Sequence, residues 1–272
     1  IKPDAERFPQ ATPALLRAMK EETVLFADSI LRGNQPVTRL LDADYTFVNT
    51  DLARHYGMPT LFTGADLKRR LTKNRGGLLT QASVLTVSSS PRRTSPVFRG
   101  KWILEVLLGQ TPPPPPANVP ELKTEGGAEA KTIREALAQH RRNAACNSCH
   151  KRIDPLGFAL ENFDAIGRWR TKEKGRPINS SSEYITATNT PLKLTGPRTI
   201  ANYAADSPHG QRHFIEQLFN HLAKQAPGAF GRETLNELWQ DFVKTDCNVP
   251  RLMTEITVRV AGGGLTHPGK KQ

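Results

Sequence analysis

Cys146 and Cys149 are two of only three cysteines in a chain of 272 residues, and His150 stands directly behind them in "AACNSCHKRIDPLGF" (144–158). Three chemistries use a CxxC pair: a dithiol–disulfide couple, a zinc knuckle and covalent attachment of haem. A thioredoxin-type couple wants the pair to open a helix after a strand. What precedes Cys146 is instead a helical pattern, with Ile133, Leu137 and His140 on one face. Zinc needs four ligands within tetrahedral reach. Adjacent Cys149 and His150 serve that poorly, there is no second CxxC, and nothing in the spacing enlists Cys247. The pentapeptide CNSCH fits the third chemistry best. There the two thiolates add to the haem vinyl groups, and the following histidine supplies the proximal nitrogen to iron.

The residues around the pair extend this reading. Pro155 lies five residues after His150, where its carbonyl could accept the imidazole proton or where it simply shapes a turn. Phe158 and Phe163 follow as candidate walls for the haem, and Arg93, Thr94, Arg99, Arg168, Trp169 and Arg170 as partners for its propionates. An iron held by His150 alone keeps an open face, whereas electron-transfer haems close it with His or Met. Distal candidates are His140, six residues before Cys146; His55, on the Val48–Leu52 face; His221, on an apolar helical face; and Met58. Taken singly, each histidine is more often a hydrogen-bonded core or edge residue. His209, His213 and His267 sit in polar or terminal settings, and Cys247 is an unpaired thiol expected to be buried.

The elements that must position these groups read as mainly α. Residues 12–33 form a helix capped by Thr12, with Leu15, Met19, Phe26 and Ile30 as its stripe and Gly33 as its stop. One or two helices are expected over 37–57, and another from Ser95 and Pro96 to Gly109. Five prolines at 112–116, followed by "KTEGGAEAK", mark a linker. Short alternation within 176–197 predicts a small hairpin. A helix over 211–224 turns Phe214, Ile215, Leu218, Phe219 and Leu222 inward, and a last helical region over 232–260 breaks near Pro250. The expected division is therefore an N-terminal helical domain (1–110), a linker (111–131), the CxxCH segment (132–175), a hairpin with helices packing on it (176–261) and a disordered tail (262–272).

Lys and Arg outnumber Asp and Glu by 38 to 26, a net charge of +12, which favours an anionic partner. The basic residues fall in scattered doublets such as Arg69-Arg70 and Arg141-Arg142, and aromatics make up only 7%. A nucleic-acid reader would show a clustered stripe with stacking platforms, so that class is set aside. No run of 18 apolar residues occurs; the longest cluster, "WILEVLL" at 102–108, has the size of a core helix. Signatures of hydrolases and phosphate loops (GxSxG, HExxH, GxxxxGK[ST]) are absent.

Four blocks resemble the large planctomycete-type haem c proteins built from consecutive uncharacterised domain families. These are "DADYTFVNTDLARHYGMP", "RGGLLTQASVLTVSSSPRRTSPVFRGKWILEVLLGQTPPPPPANVPEL", "HRRNAACNSCHKRIDPLGFALENFDAIGRWR" and "FIEQLFNHLAKQ". The resemblance implies a helical cytochrome c-type protein with one covalent haem c, exported from the cytoplasm to the periplasm or beyond. It also implies the C-terminal part of a longer precursor. "APGAFGRETL" departs from the family's usual tyrosine–glycine segment before the last helices. Two functions compete on these grounds. One is single-electron transfer to or from an acidic partner protein or larger complex. The other is a haem enzyme, or a haem-bearing subunit of a redox complex, with an open distal face.

Overall fold

Thr12 accepts a hydrogen bond from the Leu15 backbone and Pro13 occupies the first turn, so the chain enters α1 (Pro13–Arg32) as its sequence predicts. The computed structural model describes residues 2–58, 64–72, 75–114 and 132–262. Most of the expected linker (115–131) and tail (263–272) lies outside the described residues. The fold is mainly α, with three small two-stranded sheets among the described residues.

The buried stripe of α1 is Leu15, Met19, Phe26 and Ile30, as its periodicity requires, but Glu22 lies in the same stripe and is buried too. The region 37–57, where one or two helices are expected, contains two short helices with a strand between them: α2 (Arg39–Asp42), strand β1 (Tyr45–Val48) and α3 (Thr50–His55). β1 pairs antiparallel with β2 (Lys68–Leu71) in the register Tyr45 to Leu71. "YTFV" is β-branched and aromatic and so suits a pleated, half-buried surface, and the pairing with β2 holds it as a strand. A 3-10 turn at Leu78–Thr80 and α4 (Ala82–Val87) follow.

α5 (Pro96–Trp102) is capped by Ser95 and runs into a π-helical turn at Ile103–Leu107, ending at Gly109 with φ +62°. α6 (Ile133–His140) and α7 (Ala144–Phe158) carry the CxxCH segment. α5 and α7 cross at glycines. A Cβ on Gly100 would stand 2.0 Å from the Ile153 carbonyl oxygen, and one on Gly157 would stand 1.9 Å from that of Pro96. No other side chain permits so close an approach.

The C-terminal third begins with a short ribbon, β3 (Lys172–Glu173) with β4 (Arg176–Pro177), and the hairpin β5 (Ser182–Ile185) with β6 (Pro191–Leu194). α8 (Pro197–Ala205) follows, a helix not expected from the sequence. α9 (Pro208–Ala223) buries Ile215 and Phe219, whereas Leu222, expected inward, is exposed. The last helical region breaks at Thr245–Asn248, ahead of Pro250, which sits in the first turn of α11 (Val249–Ala261) after α10 (Thr234–Lys244). Proline belongs at that position because the first-turn N–H has no helical acceptor anyway.

The central core joins Leu79, Leu85, Ile103 and Leu104 to Ile153, Leu156 and Phe163, and to Tyr184, Leu194 and Ile200. Expected domain boundaries at 110, 132 and 175 therefore cut through one continuous hydrophobic cluster. A Pro-rich stretch signals an extended chain, but it does not say whether the elements on either side pack together.

Candidate cofactor site

The helical face of Ile133, Leu137 and His140 does not run on into Cys146. Thr132 and Glu135 form a capping box that starts α6, and the helix ends at Arg141. Asn143 then caps α7, its side chain accepting from the Ala145 backbone. The CxxC pair thus opens a new helix, preceded by a helix and not by a strand. Both cysteines are free thiols and half-buried, and Cys149 packs against the central core. Positions three apart on an α-helix share a face, so both thiols point the same way.

One residue on, His150 is oriented by its own helix. Its Nδ1 lies 2.8 Å from Oδ1 of Asp154, four residues later, and the Asp154 side chain is fully buried. A carboxylate in that place favours the tautomer with the proton on Nδ1, which leaves the Nε2 lone pair as the donor. The second oxygen of Asp154 is buried without a hydrogen bond, with the Arg141 guanidinium 3.9 Å away. The His140 ring meets that of His150 edge-on, centroids 4.9 Å apart. Two thiols on one helical face and an imidazole whose far nitrogen is anchored form the donor set that a covalent haem requires. The residues present fit that group.

The Pro155 carbonyl does not meet the imidazole; it accepts from Ser182 Oγ at 2.7 Å and ties α7 to the β5 hairpin. Phe158 is buried between α6 and α5, with the Arg134 guanidinium 3.8 Å above its ring. Phe163 is buried in the central core, with Trp169 against it at 5.2 Å.

Arg99 is wholly buried, and both of its terminal nitrogens are engaged inside the protein, while its Nε has no hydrogen-bond partner. It donates to the carbonyls of Leu160, Phe163 and Asp164 and to Ser89 Oγ, and lies 3.5 Å from Glu161. Burial pulls its pKa down to about 10, against the pull of Glu161. This arginine holds the loop after α7. Arg170 likewise pairs with Glu161 at 2.8 Å and Arg168 with Asp164 at 2.7 Å. Arg93 and Trp169 line a cavity of about 670 Å³ that neither cysteine nor His150 lines.

Among the distal candidates, His55 is committed elsewhere. Its Nε2 lies 2.7 Å from the Ile166 carbonyl, and burial pushes its pKa down to about 4, so the ring is neutral and donates that proton. Met58 packs with the α1–α3 cluster, His221 and His209 are exposed, and His213 is half-buried against Gly109. His267 lies outside the described residues. Cys247 is buried in the α9–α11 cluster, away from the pair, and burial raises its pKa. Among the described residues no group of three or more His, Cys, Asp or Glu is placed to hold a metal ion. No helix among them is long and apolar enough to cross a membrane.

Three buried carboxylates carry no signal of their own in the sequence: Glu161, which answers Arg99 and Arg170, Asp154 and Glu22. Asp154 was legible only if the segment after His150 is helical, and "DPLG" reads locally as a turn. Glu22 accepts hydrogen bonds from Thr46 Oγ1 and from the Tyr56 hydroxyl, which itself accepts from the Ala82 backbone. Arg75 stacks over the Tyr56 ring at 3.7 Å and reaches the carbonyls of Thr80 and Gly167. Burial outweighs these donors and raises Glu22 to about 7.

The architecture is thus that of a mainly α protein in which one helix presents two thiols and an oriented imidazole. Comparison with protein families places two of them in succession on the chain. Residues 1–58 match PSD4, a protein of unknown function (DUF1592), and residues 75–173 match PSCyt3, a protein of unknown function (DUF1588). That pair is typical of planctomycete-type cytochrome c-like proteins. The second match spans α5, α6 and α7 and so contains the whole donor set. No curated protein and no solved structure matches the chain.

Proposed function

We propose that this chain is a c-type haem module. Cys146 and Cys149 hold one haem through thioether bonds, His150 is its proximal ligand, and the module exchanges single electrons with an acidic protein partner or within a larger complex outside the cytoplasm. The observation that carries this reading is the His150–Asp154 pair, 2.8 Å long on a buried carboxylate, directly behind two free thiols on the same helix. Haem bound there supplies one-electron iron chemistry. Asp154 holds the Nδ1 proton and so leaves the Nε2 lone pair as the donor, while α6 packs beside α7 and supports the ligand's orientation. Of the distal candidates His140 lies nearest to His150, but with ring centroids 4.9 Å apart its ring would have to swing aside to admit a haem between them, and His55 is bound to a carbonyl. The excess of basic residues would steer the module toward acidic surfaces.

The test is intact mass together with oxidised and reduced spectra, with and without carbon monoxide, on protein produced in a host that matures c-type cytochromes. A mass gain of one haem, lost in the Cys146→Ala/Cys149→Ala variant, is expected, with a reduced spectrum that carbon monoxide leaves unchanged. Absence of a covalent haem mass overturns the reading. Ready carbon monoxide binding would overturn the carrier assignment in favour of an open-faced haem enzyme.

A further inference from the structure

One cavity, lined from the N-terminal segment, the Arg92–Thr94 stretch and the loop after α7, is strongly basic. It holds about 670 Å³, within the range of small-molecule sites, and seven Lys or Arg line it against two acidic residues. Both acids are already engaged. Asp164 accepts from the backbone N–H groups of Ile166 and Arg168 as well as from the Arg168 side chain, and Glu173 accepts from the Ile133 backbone. From outside the lining, Asp4 answers Arg92 at 3.5 Å and Glu161 answers Arg170 at 2.8 Å. Counted together, seven basic groups face four acidic ones. Arg93 makes one bond inside the protein, to the Thr94 carbonyl at 3.1 Å, and Arg7 and Lys172 have no acidic partner among the described residues. Like charges held in a recess repel one another and raise the local concentration of anions. Two of the walls are aromatic: Phe8 is buried, whereas Trp169 is 52% exposed with one edge seated on Phe163.

From this combination we infer that the cavity binds a small organic polyanion, one with at least two carboxylate or phosphate groups on a flat or apolar body. Arg93, Lys172 and Arg7 would take the acidic groups, and Trp169 would cover the body. Guanidinium groups match carboxylate and phosphate geometry with paired hydrogen bonds, and an exposed indole offers a large face at little cost in freedom. The site is separate from the thiol–imidazole donor set, so the inference does not rest on haem.

The test is titration of the full chain with benzene-1,3,5-tricarboxylate, followed by calorimetry and by tryptophan fluorescence, with citrate and inorganic phosphate as comparison probes. Saturable 1:1 binding is expected, weaker as salt is raised, with phosphate the weakest of the three. Arg93→Gln/Lys172→Gln should lower the affinity by about tenfold or more, in keeping with the loss of charge-assisted hydrogen bonds. Lys172 is exposed, so Lys172→Gln alone gives the same direction of change without disturbing folding, as circular dichroism would verify. Trp169→Phe should abolish the fluorescence response while calorimetric binding persists. Absence of saturable binding, or affinity unchanged in both glutamine variants, overturns the inference.

Discussion

Glu22 and His55 are both buried and titratable, and their shifts oppose each other. Burial raises Glu22 from 4.5 to about 7, so the folded protein holds a proton there that the unfolded chain has released. Its contribution to stability is complete below pH 4.5 and is lost as pH rises through 7. Burial lowers His55 from 6.5 to about 4, so its contribution is complete above pH 6.5 and is lost as pH falls through 4. Each shift corresponds to about 3 kcal/mol, and between pH 4.5 and 6.5 the two slopes nearly cancel. Glu22→Gln removes one of them. Urea midpoints of that variant should rise with pH across this window, while those of the parent stay comparatively flat; parallel curves would refute the assignment.

Among the elements, the crossing of α5 and α7 sets where the donor set stands. Two glycines allow it, with backbone oxygens about 2 Å from where each Cβ would be. Gly157→Ala places a methyl group against the Pro96 carbonyl, and backbone cannot swing aside as a side-chain end can. The loss of stability should be about 3 kcal/mol or more, at the upper end of overpacking costs, read as a lower urea midpoint. A change under about 0.5 kcal/mol, the ordinary range for surface sites, would mean that the helices do not cross there. Arg99 reinforces the same junction from the other side, since its guanidinium satisfies three carbonyls in the loop after α7.

Across the whole molecule, the matched family extent of 75–173 leaves part of its own hydrophobic core outside it. Tyr184, Leu194 and Ile200 lie beyond it, yet each is fully buried in the core that also holds Ile153 and Leu156 of α7. Burying three such side chains contributes about 5–8 kcal/mol, comparable to the net stability of an ordinary domain. A fragment of residues 75–173 should therefore bind a hydrophobic dye and melt without a cooperative transition, whereas the full chain melts cooperatively. A sharp, cooperative melt of the fragment would show that the hairpin and α8 are dispensable.

The CNSCH pentapeptide, the capped start of α1, the helix from Ser95 and Pro96, and the small hairpin were all legible in the chain, because each rests on local rules of spacing, capping and turn residues. Tertiary contacts decided the rest. β1 stands as a strand because Tyr45 to Val48 pair with Leu71 to Lys68, yet "KRRL" carries no strong strand signal of its own. α7 runs helical through Pro155 because the core on both sides holds it so. The His150–Asp154 pair, the internal employment of Arg99 and the binding of His55 to a carbonyl follow from that packing. The physical reason is the same in each case. Residue type and spacing specify what a side chain can do, but burial and the partners brought from distant segments decide which of those capacities it is left to use.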